Sequence, residues 1–322
     1  MSRHVFSRCC LAIVFFLSAP ASVFANPAWP ASPIHMVVPF PPGGSNDVIA
    51  RRLADGLSKV FGQTVVVENK GGGAGTIGSQ AVATSKPDGY TFLFISSSLA
   101  TSAAVQQTPY DPPKAFTGVA QVARSPFVVL TSKEFPVKDI KELIAYAKAN
   151  PRKMNFGSAG LGDSTQMATE LFNDIFDIKM TAVPYKGISP AQLDLVAGRL
   201  DMIITTIASI KGNAADSLPK LAFTGAKRES DYPNIPTVIE ATGTQYEVDV
   251  WWGLFAPSGI PAPILQKMNA EVNKIVSDAA FADFLKTVGA SPAIGTPESF
   301  QQLLVKDLER WRAIAKRAGV QN

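Results

Sequence analysis

The stretch Ile34-His35-Met36-Val37-Val38-Pro39-Phe40-Pro41-Pro42-Gly43-Gly44-Ser45-Asn46-Asp47 decides the architecture of this chain. Its first five residues are mostly apolar and read as a buried strand, Ile34–Val38. Prolines and glycines then interrupt. From Asp47 to Phe61 the apolar residues Ile49, Leu53, Leu57 and Val60 recur at helical spacing. A strand that enters a helix through a loop of small residues is the repeating half of a βαβ fold. The loop also has a chemical meaning. Glycine lets the backbone approach a bound molecule, and the first turn of the helix leaves free N–H groups whose dipole favours an anion.

The same pattern returns outward from that stretch. Thr64–Glu68 reads as a strand, Gly71–Gly78 as a glycine loop and Ile77–Thr84 as a helix. Tyr90–Ile95 is a further buried strand, and Ser96-Ser97-Ser98 follows it. Val137–Asn150 has helical periodicity and Pro151 ends it. Met154–Phe156 leads through Gly157-Ser158-Ala159-Gly160-Leu161-Gly162-Asp163-Ser164-Thr165 to a helix near Gln166–Ile175. Ser189-Pro190-Ala191-Gln192 predicts a capping box, with proline at the first helical position, and Met202–Ile204 a short strand. Two amphipathic helices close the chain, one on Ile264, Met268, Val272 and Ile275, the other from Phe300 to Ile314.

Alternating strands and helices predict an α/β protein in which each lobe is a mainly parallel sheet flanked by helices. A length of 322 residues suits two domains, yet no linker composition separates them. The strands themselves are therefore expected to cross between lobes, at Val119–Leu130 and Lys220–Thr224. That divides the chain into a first lobe of residues 26–124 and 225–322 and a second of 125–224.

Residues 1–25 stand apart. Arg3 and Arg8 precede the apolar run Cys9–Leu17, and Val23-Phe24-Ala25 has small residues where a signal peptidase reads. The run is too short for the roughly 20 residues of a spanning helix, so a cleaved signal and an exported, periplasmic protein are expected. Removing Arg3 and Arg8 from 30 basic residues leaves 28 against 26 acids, a net charge of +2. That near-neutral balance gives no reason to expect nucleic acid as a partner, and a monomer is expected. Both cysteines leave with the signal, so disulfides and thiol chemistry leave with them.

Several enzyme classes lack their parts. Gly73-Ala74-Gly75-Thr76-Ile77-Gly78 matches a dinucleotide fingerprint, but the acid expected about 20 residues on is absent and serines stand there. Gly162-Asp163-Ser164-Thr165-Gln166 lacks the closing glycine of a nucleophile elbow. His35 is the single histidine beyond the signal, which disfavours both a Ser/His pair and a metal cluster. No cofactor is expected. Three strand-to-helix glycine loops favour a site for a carboxylate or phosphate in a crevice at the strand ends. Trp251 and Trp252 read as packing, and Tyr185-Lys186-Gly187 offers a hydroxyl and a cation beside that crevice.

Pro39-Phe40-Pro41-Pro42-Gly43-Gly44 with Asp47 resembles the opening loop of the tripartite tricarboxylate transporter receptors, the Bug family. The likeness continues through Glu68-Asn69-Lys70, Pro87-Asp88-Gly89-Tyr90, Pro184-Tyr185-Lys186-Gly187, Ala197-Gly198-Arg199-Leu200-Asp201-Met202, Pro236-Thr237 and Trp252-Gly253-Leu254-Phe255-Ala256-Pro257. It covers nearly the whole mature chain. The resemblance implies a periplasmic two-lobed receptor of the Venus-flytrap type and a small carboxylate as ligand: a di- or tricarboxylate, an amino acid or an aromatic acid. It implies membrane transporter subunits as partners; a periplasmic sensor would need the same cleft. It implies that the loops from opposite lobes, Phe40–Asp47 and Gly157–Thr165, hold a carboxylate. Candidate ligand-binding residues are then Phe40, Pro41, Gly43, Gly44, Ser45, Asn46, Asp47, Ser96, Ser97, Ser98, Ser158, Ala159, Gly160, Gly162, Asp163, Ser164, Thr165, Tyr185 and Thr205. Two places depart from the family pattern. Asp163-Ser164-Thr165-Gln166 replaces a usual Ser-Ser-x-His, and Thr205-Thr206 stands where an acid is common. Asp163 is expected at the rim of the cleft, where its charge would bear on selectivity.

Overall fold

The structure is a computed structural model and describes residues 29–321. The expected signal segment lies outside the described residues. In chain order the strands are β1 (Ile34–Val38), β2 (Val65–Asn69), β3 (Thr91–Ser96), β4 (Phe116–Pro126), β5 (Val128–Thr131), β6 (Asn155–Ser158), β7 (Thr181–Pro184), β8 (Met202–Thr205), β9 (Lys220–Phe223), β10 (Asp249–Pro257) and β11 (Ser291–Pro292). The helices are α1 (Ser45–Phe61), α2 (Thr76–Ala83), α3 (Ser98–Val105), α4 (Pro112–Ala115), α5 (Ile140–Ala149), α6 (Ser164–Phe176), α7 (Ile188–Val196), α8 (Ile207–Ile210), α9 (Val238–Thr242), α10 (Ala262–Ser277), α11 (Ala279–Thr287) and α12 (Pro297–Ala318).

Two sheets form, ordered β11-β4-β10-β3-β1-β2 and β7-β6-β8-β5-β9. β1 lies between β2 and β3 in parallel register, which is why Ile34, Met36, Val37 and Val38 are buried. His35 turns outward and pairs with Glu68 on β2. α1 covers this sheet with Ile49, Leu53 and Leu57, and stops where Gly62 takes a left-handed φ of 64° and bonds back to the Ser58 carbonyl.

The sheets are mixed, which corrects the expectation of mainly parallel ones. β10 runs antiparallel to β3 and β4, and β5 antiparallel to β8 and β9. The cause is the route of the chain. A strand that travels from one lobe to the other arrives from the far side, so no crossover helix turns it parallel. At the first crossing, β4 of one sheet passes through Phe127 directly into β5 of the other. The second falls later than residue 224. Phe223 bridges to Thr237, α9 packs on α5, and the Tyr246 ring sits edge-on to Phe172 on α6 at 5.3 Å. Residues 225–248 therefore pack with the second lobe, and the chain returns to the first sheet at Asp249.

The two crossings lie side by side. The Thr224 hydroxyl donates to the Val248 carbonyl at 2.6 Å and accepts from the Phe127 N–H at 2.8 Å. α12 adds a third connection, because it packs on α3 and also reaches α6, where Arg317 meets Asp174 at 3.4 Å. Two other expectations change. α7 begins at Ile188 behind Gly187, which has no side-chain cap, so the capping box read at Ser189 is absent. Thr237 and Glu240 form such a box instead, at the start of α9. α11 separates the two helices expected at the end of the chain.

Candidate functional site

Three helix starts converge where the lobes face each other. α1 opens behind Gly44 and α7 behind Gly187, and neither receives a side-chain cap. These glycines let the lobes touch. A Cβ on Gly187 would lie 2.7 Å from Pro41, and one on Gly44 would lie 3.6 Å from Ile188. Gly187 also has φ of 104°, a conformation other residues rarely adopt. The backbone N–H of Ser45 points across the cleft to the Ser209 hydroxyl at 3.3 Å.

α6 starts differently. Asp163 is its cap and is 3% exposed. Its Oδ1 accepts from the Thr165 N–H at 2.8 Å and the Thr165 hydroxyl at 2.5 Å. Its Oδ2 accepts from the Ser98 hydroxyl of the other lobe at 2.6 Å. Asp163 is thus buried at a lobe–lobe contact, not set at the rim. Gln166, one turn on, accepts from the Gly162 N–H at 2.6 Å and closes the loop internally.

Between these starts lies a narrow cavity of about 30 Å³, room for little more than two water molecules. Phe40, Pro41, Gly44, Ser45, Asn46, Ser96, Ala159, Asp163, Ser164, Thr165 and Thr205 line it, all read as candidates from sequence. Two polar atoms in this wall are buried without a partner, Asn46 Oδ1 and Thr205 Oγ1. A buried polar group without a bond costs about 1–3 kcal/mol, so a water or a ligand group that paired with either atom would be stabilised there. Hollows of about 500 Å³ and 760 Å³ elsewhere are larger, but neither brings these helix starts together.

The remaining candidates lie beside the cavity. Asp47 is turned into its own lobe, where its carboxylate accepts from Gly43 N–H, Asn69 and Arg51 at 3.0, 2.9 and 2.8 Å. Burial opposes its ionisation, but the Arg51 guanidinium, Gly43 N–H and Asn69 amide outweigh that and hold its pKa below the ordinary value. Ser97 N–H donates to the Trp251 carbonyl at 2.9 Å, and Ser98 is the hydroxyl on Asp163. The Ser158 hydroxyl donates to the Gly160 carbonyl at 3.5 Å and the Gly162 N–H to Gln166, so both support the third loop. Gly160 and Tyr185 line an adjoining hollow of about 180 Å³ at the mouth, together with Lys186 and the second glycine loop. The Tyr185 hydroxyl donates to Asp194 at 2.7 Å, and burial together with that carboxylate pushes its pKa up to about 12.

Sequence reading missed Phe127, Ile188, Ser189, Thr206, Ser209 and Val250, which also line the cavity. Ile188 and Ser189 had a signal, since they follow Gly187 at a helix start. Phe127 lies within the expected crossing Val119–Leu130 but had no signal that it would face the cavity, and Val250 sits on the return strand, whose place depends on how the sheets pair. Among the described residues no group of three metal-ligating side chains occurs.

The model of the tripartite tricarboxylate transporter family receptor matches residues 49–320. The protein BugT of Bordetella pertussis is 32% identical over 316 residues, covering 96% of this chain and 97% of BugT. The structure of R. palustris Rpa4515 with adipate superimposes with a TM-score of 0.87 at 36% identity, over 90% of this chain and 98% of that one. MatC from Rhodopseudomonas palustris, with bound malate, gives 0.83 at 30% identity, over 89% and 99%.

Proposed function

Because the chain belongs to the tripartite tricarboxylate transporter receptor family, we propose that it captures a small carboxylate between its lobes in the periplasm and presents it to the membrane subunits of such a transporter. One observation carries the reading. The starts of α1 and α7, on opposite lobes and without a side-chain cap from their leading glycines, meet at a cavity that also holds the unpartnered Thr205 hydroxyl, a donor for a carboxylate, while the unpartnered Asn46 Oδ1 would take a donor group of the ligand. A carboxylate there accepts N–H bonds from both lobes at once and gains from both helix dipoles. It therefore stabilises the closed arrangement over the open one, and closure reports occupancy to the transporter. The similar structures that hold adipate and malate support a carboxylate as ligand.

The cavity is too narrow to admit an acid as it stands, so binding requires the lobes to part first. The test uses protein freed of bound molecules by unfolding and refolding. A true ligand at 100 times its Kd raises the unfolding free energy by about 2.7 kcal/mol, read as a higher Tm, with a matching calorimetric isotherm. If no small carboxylate raises the Tm, the receptor reading fails.

A further inference from the structure

We infer that this receptor selects acids with a single carboxylate and discriminates against dicarboxylates, with Asp163 as the discriminating residue; the inference rests on the carboxylate-receptor reading above. Of the three helix starts at the cavity, that of α7 is open, that of α1 gives the Ser45 N–H to the neutral Ser209 hydroxyl, and that of α6 is already filled by an acid. At α6 the Asp163 carboxylate holds the Thr165 N–H and hydroxyl, so the positive end of that helix is answered by the chain's own anion. The partners of Asp163 are the Ser98 hydroxyl, the Thr165 hydroxyl and the Thr165 N–H, all uncharged.

The rest of the wall does not offset that charge. Among the described residues that line the cavity, none is lysine, arginine or histidine. Lys186 lines the adjoining mouth and is exposed to solvent, and Arg51 is bound to Asp47 within its own lobe. One carboxylate is served by the starts of α1 and α7. A second would enter the field of Asp163 with no cation in the wall to answer it. The groups that face the remainder of a ligand are neutral. Thr205 offers an unpartnered hydroxyl, while Phe40, Phe127, Ile188 and Val250 are apolar. With the hydroxyls of Ser96, Ser189, Thr206 and Ser209 in the same wall, they suit an uncharged body that carries hydroxyls, and Asp163 also tolerates an amine.

Matched pairs of acids test this by calorimetry on the refolded protein: hexanoate with adipate, lactate with malate, and benzoate with terephthalate. The single acid of each binding pair is expected to bind at least about tenfold more tightly than its diacid. Asp163→Asn keeps a residue that caps α6 almost as well, and Asp163→Ser provides a second capping variant should the first fold poorly. Either is expected to shift the ratio of diacid to single-acid affinity toward the diacid by about tenfold or more, since any loss of the Ser98 bond acts on closure and weakens both acids alike. The inference is overturned if the diacids win in the unmodified protein, or if the ratio is the same in the variants. Silence from every pair, in every form, would instead overturn the carboxylate reading on which this one rests.

Discussion

Asp47 looked like a ligand contact in the sequence, and the structure gives it another task. Its buried carboxylate ties the first loop to β2 through Asn69 and to α1 through Arg51, and it fixes the Gly43 N–H. Truncation leaves that N–H without an acceptor and removes one of the two acceptors of the Asn69 amide, which keeps the Phe40 carbonyl at 3.1 Å. Asp47→Ala is therefore expected to cost about 2–3 kcal/mol, the range for hydrogen bonds to a charged group, in urea unfolding at neutral pH. The dependence on pH follows from the direction of its pKa. The folded value lies below the unfolded one, so the contribution is fully present above about pH 4 and is lost as pH falls through the folded value. The gap between the two proteins should stay constant from pH 6 to 8, on the order of the figure above, and narrow only in acid. A gap that widened in acid would contradict the role.

β10 is the element on which the first lobe depends, and its glycine shows why. At Gly253 the register with β4 shifts, and α12 lays Phe300 directly over the strand. A Cβ there would lie 2.1 Å from Phe300 and 2.7 Å from the Ala120 carbonyl oxygen. Phe300 is buried, and a backbone oxygen inside a sheet cannot move aside. Gly253→Ala is expected to destabilise by about 2–3 kcal/mol through overpacking, visible as a lowered Tm. An unchanged Tm would mean that α12 can lift off the sheet. The alternation of strand and helix was legible around this strand, but β10 itself was read only as tryptophan packing. Its residues are buried on both faces, so no alternation of polar and apolar positions marks it as a strand.

For the whole molecule, the lobes are joined at the crossings and held shut by bonds across the cleft. Ser98 to Asp163, Ser102 to the Gly162 carbonyl at 3.4 Å, and Ser45 to Ser209 all link one lobe to the other. In the open form these groups are free to bond water, so a change at Ser98 acts on closure more than on either lobe. Ser98→Ala is expected to weaken ligand binding by about tenfold, with the Tm of the unliganded protein within about 1 °C of the original. X-ray scattering should then show a larger radius of gyration at a ligand concentration that closes the unmodified protein. Equal affinity in the two proteins would mean that Asp163 finds another donor.

The sequence by itself determined the α/β alternation and the glycine loops at strand ends, and a family resemblance, not periodicity, named residues such as Thr205 among the eleven candidates that line the cavity. The alternation and the loops are local facts: apolar periodicity, glycine's backbone freedom and the unsatisfied N–H groups of a helix start act over a few residues. Tertiary structure alone decided the rest. It set the second crossing beyond residue 224, made the sheets mixed, and brought Phe127 and Val250 to the cavity. It also turned Asp47 inward and buried Asp163 against Ser98. A carboxylate has the same symbol whether it meets water, a helix start or a hydroxyl from the other lobe. Which of these it meets is a matter of distance between segments far apart in the chain, and only the folded molecule sets that distance.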